Sequence, residues 1–207
     1  MLSIAVFASG RGSNFRALAE AISKKNIDAK IVVVISNNSD AGALALAQAF
    51  HIPALHLSQK QFPSQEAFTN AVLSTLESHG VDFIVLAGYM KKIDPVIIRR
   101  YRNNIINVHP ALLPAFGGQG MYGHHVHEAV IAQGASVSGA TVHIVDEEFD
   151  HGLIVLQESI PVSPADTPDT LAEKVLRIEH TILPRAVELF AHKKITVENG
   201  NVFIHDS

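Results

Sequence analysis

Short apolar runs alternate with amphipathic segments through the first half of the chain. Runs rich in β-branched residues predict buried strands at residues 2–8, 31–35, 54–56, 83–87 and 105–107. Apolar residues spaced as on one helical face predict helices between them, at residues 15–23, 41–50, 64–80 and 94–101. Strands alternating with helices favour an α/β fold with a doubly wound, mostly parallel Rossmann-like sheet.

The pattern changes after residue 110. A loop rich in glycine and histidine is predicted to run to about His127, and a helix to follow at residues 127–133. Two β-rich runs, at residues 139–145 and 153–160, are separated by too few residues for a crossover helix. We therefore expect an antiparallel pair of strands at this point in the sheet.

A long C-terminal helix is predicted to begin at Thr167, with Pro168 at an early, tolerated position. Its apolar face comprises Leu171, Val175, Ile178 and Ile182, and its polar face Glu173, Arg177, Glu179 and His180. Pro184 should kink the helix, and residues 195–204 are expected to form a hairpin. We expect one domain over residues 1–207, with halves at 1–107 and 108–207.

Composition narrows the classes of function. A net charge of −4 gives no electrostatic case for nucleic acid or an acidic membrane as partner. The chain has no cysteine, which excludes disulfides and thiolate catalysis. Its N-terminus lacks a basic n-region, and no apolar run is long enough to span a bilayer, so we expect a cytoplasmic protein.

Asn107 and His109 lie two residues apart at the end of a predicted strand, immediately before Pro110. Side chains at i and i+2 of a strand point to the same side, so the amide and imidazole should face one space. Such a donor pair could stabilise a developing negative charge. The plainer alternative is a strand-end asparagine beside an ordinary hydrogen-bonded histidine.

Gly10 and Gly12 follow the first strand, and Ser13 and Asn14 open the next segment. Backbone N–H groups at a helix start attract phosphate, and the two polar side chains add donors. The dinucleotide pattern G-x-G-x-x-G is absent because Phe15 takes the place of its third glycine. A phosphomonoester site is therefore favoured over a nicotinamide site, with a plain tight turn as the alternative.

Acidic residues crowd the loop at 146–152. Glu147 and Glu148 are expected to be solvated surface charges, whereas Asp150 could fold back toward the sheet edge where open α/β sheets bind ligands. A carboxylate near His109 would favour the imidazolium and could relay protons.

Histidines cluster at positions 124, 125 and 127, with further histidines at 109, 143 and 151. Without H-E-x-x-H or cysteine ligands, no metal site is expected. A flexible loop bordering the site is favoured. The segment 86–93, at a strand end, could hold a flat heterocycle or be a simple turn with exposed lysines.

Four stretches together look like those of the phosphoribosylglycinamide formyltransferases, within the wider formyltetrahydrofolate hydrolase and transferase superfamily. They are Ser9-Gly10-Arg11-Gly12-Ser13-Asn14, Leu86-Ala87-Gly88-Tyr89-Met90, Asn107-Val108-His109-Pro110-Ala111-Leu112-Leu113-Pro114 and Asp146-Glu147-Glu148-Phe149-Asp150-His151-Gly152. The resemblance extends over nearly the whole chain. It implies formyl transfer from 10-formyltetrahydrofolate to glycinamide ribonucleotide, in a monomer or homodimer without metal.

The resemblance also implies roles for particular residues. Asn107, His109 and Asp150 would be catalytic, the first half of the chain would bind the nucleotide, and the second would bind folate. The phosphate would bind to Gly12, Ser13 and Asn14, and the ribose hydroxyls to Glu179. The folate would be bordered by Met90, Lys91, Lys92, Ile93, Asn107, Asp146 and Glu147.

Two departures from the family pattern limit this transfer of roles. Residues 115–127 are longer than the usual Phe-Pro-Gly-x-x-x-His stretch, so no role is carried over to them. Lys91 stands where arginine is common, so a contact that needs a guanidinium would differ.

Several alternatives stay open. A formyltetrahydrofolate hydrolase would carry an extra N-terminal regulatory domain, whereas the first strand here begins at residue 2. A methionyl-tRNA formyltransferase would carry a C-terminal RNA-binding domain and a basic surface. A sugar-nucleotide formyltransferase gives no clear reason for the turn at 12–14, and a non-catalytic nucleotide sensor would not need Asn107, His109 and Asp150 together.

Overall fold

The computed structural model describes residues 1–25 and 27–205, and the chain divides into two compact units, Met1–Ile106 and a second that begins at Asn107. The strands of the first unit are β1 (Leu2–Phe7), β2 (Ala29–Ser36), β3 (Ala54–His56) and β4 (Phe83–Leu86). Its helices are α1 (Ser13–Lys25), α2 (Gly42–Ala49), α3 (Gln65–Ser78) and α4 (Pro95–Arg100).

The strands of the first unit are parallel and lie in the order β3-β2-β1-β4. Ile4 of β1 lies opposite Ile31 of β2, and Val6 lies opposite Val85 of β4. All four side chains are buried, as expected for strands covered by helices on both faces. Ser64 caps α3 and Asp94 caps α4, each by accepting a backbone N–H.

The second unit begins within β5 (Ile105–His109), whose first two residues belong to the first unit. Its remaining elements are α5 (His124–Ala132), β6 (Val137–Ile144), β7 (Ile154–Pro161), α6 (Pro168–Ala191), β8 (Ile195–Glu198) and β9 (Asn201–Ile204). The strand order is β5-β6-β7, and β6 and β7 are antiparallel. Helix α6 packs against β6, β7 and α5 and buries its predicted apolar face.

These elements confirm the fold class expected from the sequence. The sheet is parallel in its first part, ends in an antiparallel pair and is followed by a long C-terminal helix. The predicted hairpin is also present, with Asn199 and Gly200 at positive φ in its two-residue turn. Among the described residues, no helix has both the length and the apolar character needed to cross a membrane.

Two of the expected helix starts need correction. Helix α1 starts at Ser13, so Ser13 and Asn14 belong to its first turn. Helix α5 starts at His124 rather than at residue 127, and its N-cap is Gly123 at φ 55, which supplies no capping side chain that a sequence could reveal. Helix α6 is continuous through Pro184 over its 24 residues, and a kink there stays a prediction.

Glu179 was expected on the polar face of α6, but it is buried, at 8% exposure. The reason lies in the helical spacing. Glu179 is four residues after Val175 and three before Ile182, so it falls on the buried stripe. Residue type, rather than position, produced the wrong expectation.

Candidate active site

The end of β5 brings an amide and an imidazole to one carboxylate. Nδ2 of Asn107 lies 3.5 Å from Oδ1 of Asp150, and Nδ1 of His109 lies 3.5 Å from Oδ2 of the same residue. The side chains of His109 and Asp150 are only 3% and 11% exposed. The three residues expected to act together therefore meet, although Asp150 comes from the loop between β6 and β7.

The other ring nitrogen of His109 is held by the backbone. Nε2 donates a hydrogen bond to the carbonyl oxygen of Phe116 at 2.8 Å. A carbonyl only accepts, so Nε2 carries a proton, and Nδ1 carries one only when the ring is an imidazolium. The Phe116 carbonyl thereby directs every change of protonation of His109 to the nitrogen that faces Asp150.

Backbone geometry also fixes Asp150. Its Oδ2 accepts the Gly118 N–H at 3.0 Å, and the residue itself adopts a positive φ of 54°. A Cβ at Gly117 would lie 2.5 Å from Leu113 Cδ2, so the leucine side chain would have to move, and 3.2 Å from Cβ of Asp150, which is a tight contact. A Cβ at Gly152 would lie 1.8 Å from the Ile144 carbonyl oxygen, which ties the end of the loop to β6.

A second polar network anchors the segment that leads to Phe116. The Thr141 hydroxyl donates to the Ala111 carbonyl at 2.6 Å and accepts the Leu113 N–H at 3.1 Å. Gln157 donates to the Leu113 carbonyl at 3.0 Å. Because Thr141 and Gln157 belong to β6 and β7, the antiparallel pair sets the start of the loop after His109.

Burial and charge oppose each other in the pKa values of this cluster. Burial lowers the pKa of His109 below its ordinary value, although the Asp150 carboxylate and the Phe116 carbonyl both raise it. Burial would raise the pKa of Asp150, but the nearby His143 ring, the charge of His109 and the Gly118 N–H outweigh it and lower that pKa. The carboxylate is ionised at neutral pH and the imidazolium holds its second proton weakly.

His143 is a member of this cluster that the sequence did not single out as a site residue. Its Nε2 lies 3.1 Å from Nδ2 of Asn107 and 3.6 Å from Oδ1 of Asp150. The sequence noted His143 only as one histidine of several, and the available signal was its place in a predicted strand. Among the described residues no group of three or more potential ligands could hold a metal ion.

The glycine turn of the first unit is tightly packed. Gly12 has a φ of 81°, and a Cβ there would lie 2.9 Å from the Cα of Ala43, so both conformation and space require glycine. Ser13 and Asn14 follow in the first turn of α1, where backbone N–H groups lack partners within the helix. A structural reason for Gly12 thus coexists with a helix start suited to an anion.

The segment after β4 borders a cavity of about 380 Å³ in the first unit. Lys91, Lys92 and Ile93 line it together with Tyr89, and burial raises the pKa of Tyr89 to about 12. Met90 is 44% exposed, and its N–H donates to the Ser9 hydroxyl at 2.8 Å. This bond joins the end of β4 to the glycine turn.

The remaining predicted residues lie in the second unit. Asp146 is half-exposed and accepts a hydrogen bond from Nδ1 of His151 at 2.7 Å. Glu147 is exposed at the surface of the loop, and Glu179 is buried in α6. The structure thus brings Asn107, His109 and Asp150 together and adds His143 to them.

Comparison with known proteins identifies the chain. The sequence profile of the formyl transferase family matches residues 2–187. The chain belongs to the formyl transferase family. Membership confirms the family expected from the sequence motifs.

Relatives in the formyl transferase family share much of the sequence. The phosphoribosylglycinamide formyltransferase of Bacillus subtilis is 37% identical, over 91% of this chain and 94% of its own length. The chloroplastic phosphoribosylglycinamide formyltransferase of Arabidopsis thaliana is 40% identical over 93% of this chain. The chain spans only 66% of that plant protein, just under two thirds of its length.

Solved structures in the formyl transferase family agree with the fold. Glycinamide ribonucleotide transformylase 1 from Symbiobacterium toebii superposes with a TM-score of 0.93 at 36% identity, over 100% of this chain and 95% of that one. A formyltetrahydrofolate deformylase from Pseudomonas syringae superposes with a TM-score of 0.88 at 25% identity, over 99% of this chain and 66% of that one. The fold alone therefore does not separate transfer from hydrolysis.

Proposed function

We propose that this protein transfers the formyl group of 10-formyltetrahydrofolate to the amine of N1-(5-phospho-D-ribosyl)glycinamide in purine biosynthesis. The products would be the N2-formyl nucleotide and tetrahydrofolate. The observation that carries the proposal is the meeting of Asn107, His109 and Asp150 at the end of β5. The identity to phosphoribosylglycinamide formyltransferases of similar length supports the choice of substrate.

The reaction needs a group that stabilises an oxyanion and a group that moves a proton. When the substrate amine attacks the formyl carbon, a C–N bond forms and the formyl oxygen gains negative charge. Asn107 donates from its amide. His109 donates from Nδ1 only in its imidazolium form, which the Asp150 carboxylate favours and burial disfavours, because Nε2 is already bonded to Phe116. Oriented donors of this kind act without reorganisation at the moment of reaction.

Breakdown of the intermediate breaks the bond between the formyl carbon and N10. The attacking amine must lose a proton and N10 must gain one. Asp150, ionised and adjacent to Nδ1 of His109, is suited to accept the proton and to pass it on through the imidazole or through water. The lowered pKa of His109 supports this relay because its second proton is held weakly.

The binding roles rest on the family resemblance and on local geometry. We propose that Gly12, Ser13 and Asn14 bind the phosphate, since the N-terminus of a helix favours anions. We assign the ribose hydroxyls to the Glu179 carboxylate. The folate is assigned to a border of residues comprising Met90, Lys91, Lys92, Ile93, Asn107, Asp146 and Glu147.

Hydrolysis of 10-formyltetrahydrofolate is the second candidate. It would use the same three residues with water in place of the amine. The similar fold of the formyltetrahydrofolate deformylase is the observation that supports this candidate. A non-catalytic nucleotide sensor is the third. It would need the glycine turn but no buried cluster of Asn107, His109 and Asp150.

One assay separates the three functions. The protein is incubated with 10-formyltetrahydrofolate, with and without glycinamide ribonucleotide, and release of tetrahydrofolate is followed. Release only in the presence of the amine supports transfer, release without it indicates a hydrolase, and no release indicates a sensor. The Asn107→Ala variant serves as control, because loss of an oxyanion donor should lower the rate about 10²–10³-fold.

The localisation, oligomeric state and partners of the protein are also proposals. We propose a cytoplasmic enzyme, monomeric or homodimeric, whose partners are the two small molecules and neither nucleic acid nor membrane. The net charge of −4 supports the absence of an anionic macromolecular partner.

A further inference from the structure

His143 contacts the reactive cluster but has no part in the mechanism proposed above. Its ring is almost completely buried, at 3% exposure. Nε2 lies 3.1 Å from the Asn107 amide nitrogen, which is hydrogen-bond distance, and 3.6 Å from Asp150, which is too long for a hydrogen bond. The ring therefore contacts Asn107 more closely than it contacts the carboxylate.

An irregularity in β6 sets the direction of the His143 side chain. The pairing of β6 with β7 shifts register between Val142 and His143, so that His143 lies opposite Ile154. Such bulges redirect a side chain at the end of a strand. Immediately after the bulge, Nδ1 of His143 lies 3.1 Å from the carbonyl oxygen of Ile144.

The contacts of Nε2 with Asn107 and of Nδ1 with the Ile144 carbonyl determine which tautomer the neutral His143 ring adopts. Because the Ile144 carbonyl can only accept, Nδ1 must carry the proton, and Nε2 is then a bare acceptor. A bare Nε2 requires a donor from Asn107, so the amide presents its nitrogen, and not its oxygen, to His143. The second N–H of that nitrogen points toward Asp150 Oδ1 at 3.5 Å, the outer limit of a hydrogen bond, so a reacting oxygen would have to replace only a long bond to reach it.

We propose that His143 is a positioning residue whose unprotonated Nε2 fixes the orientation of the Asn107 amide, so that an N–H, and not the amide carbonyl, faces the reacting formyl oxygen. With the amide reversed, its oxygen would face both the oxyanion and the Asp150 carboxylate, and the interaction would be repulsive. The inference rests on the proposed function, in which Asn107 is an oxyanion donor.

The kinetic test compares His143 variants with and without Asn107. His143→Ala should lower kcat about 10- to 100-fold, less than loss of the donor itself, and leave both KM values nearly unchanged. His143→Gln should recover most of the loss, since its side-chain oxygen can accept the Asn107 N–H. In the Asn107→Ala background, removal of His143 should cost less than about twofold, because its effect passes through that amide.

Equal losses in the two backgrounds would overturn the proposal, since a merely structural role acts independently of Asn107. His79→Gln is the matched control. Nδ1 of His79 is also within hydrogen-bond distance of a backbone carbonyl, that of Thr75 at 2.8 Å, but at the end of α3 in the first unit. This control should leave kcat unchanged.

The second measurement does not depend on activity or on the stability of a variant. Nitrogen-15 NMR of the wild-type protein at neutral pH should show His143 with Nδ1 protonated and Nε2 unprotonated. A proton on Nε2, in the other tautomer or in a charged ring, would overturn the proposal. Absence of formyl transfer by the wild type would instead refute the proposed function and leave the tautomer assignment intact.

Discussion

Two histidine–aspartate pairs lie at the loop between β6 and β7, and they differ in almost every respect. Asp150 is buried against His109, with 3.5 Å between carboxylate and Nδ1. Asp146 faces His151 at 2.7 Å, with side chains 41% and 66% exposed. The pKa of His109 is lowered by burial, whereas that of His151 is raised by its hydrogen bond to Asp146.

The difference shows that the shorter contact is not the more consequential one. Water screens the exposed pair, and such pairs contribute little to stability. In the buried pair, the exclusion of water strengthens the interactions of each group, so moving a proton costs more free energy. The Phe116 carbonyl holds His109, and the Gly118 N–H holds Asp150. Burial, rather than distance, distinguishes the pair suited to catalysis.

Removing one carboxylate from each pair should give the largest contrast. Asp150→Asn keeps the size of the side chain but loses its charge, and we expect kcat to fall about 10²–10³-fold with little change in either KM. Asp146→Asn should instead raise KM for the folate and leave kcat nearly unchanged. Steady-state kinetics with both substrates measures this. If Asp150→Asn changes KM alone, the proposed role of Asp150 is wrong.

His127 extends the comparison to a buried histidine of α5. It is 4% exposed, its Nδ1 has no hydrogen-bond partner among the described residues, and burial together with the charges of His124 and His109 lowers its pKa to about 4. The unfolded chain, with an ordinary histidine pKa of about 6.5, binds more protons between these values, so stability falls as the pH drops from about 6.5 to 4.

The expected loss from His127 is about 3.5 kcal/mol, since its pKa is about 4 in the folded and about 6.5 in the unfolded chain and each pH unit between them contributes about 1.4 kcal/mol. Urea unfolding of wild type and His127→Gln at several pH values measures it. The wild type should lose free energy of unfolding faster than the variant as the solution is acidified. His125→Gln, at an exposed position of the same helix, should follow the wild type. Identical slopes for wild type and His127→Gln would contradict the buried, neutral state.

The smallest effect is expected at the exposed pair. Because the folded pKa of His151 is raised, its contribution to stability is present in acid and lost as the pH rises through that value. An NMR titration should place the pKa of His151 above its ordinary value in wild type and close to it in Asp146→Asn. Added salt should reduce the shift in wild type. A His151 titration unaffected by removal of Asp146 would show that the pair does not persist in solution.

Much of the fold follows from the sequence because its signals are local. Buried strands such as β1 and β4 are continuous apolar runs, and the caps at Ser64 and Asp94 precede clear helical spacing. The pairing of Asn107 with His109 could also be predicted, since strand periodicity and the following Pro110 place both at one strand end.

The rest of the site depends on features that spacing does not encode. The approach of Asp150 relies on a positive φ in a non-glycine residue, and the aim of His143 relies on a bulge. The close approach of Gly152 to the Ile144 carbonyl, at the end of the same loop, likewise shows only in three dimensions. The motif resemblance identified Asp150, whereas the place of His143 in a predicted strand did not distinguish it from the other histidines.

The bond between His109 and Phe116 has a consequence for mutational scanning. The group that holds the imidazole is a main-chain carbonyl, and Phe116 presents it from a backbone with a φ of 56°. Replacing the phenyl ring leaves that carbonyl in the chain, so alanine substitution would report the position as dispensable while its essential atom survives. The function of this position depends on its backbone conformation and not on the type of its side chain. Changes that alter the path of the chain, such as an insertion beside Gly117, are the ones that would expose its importance.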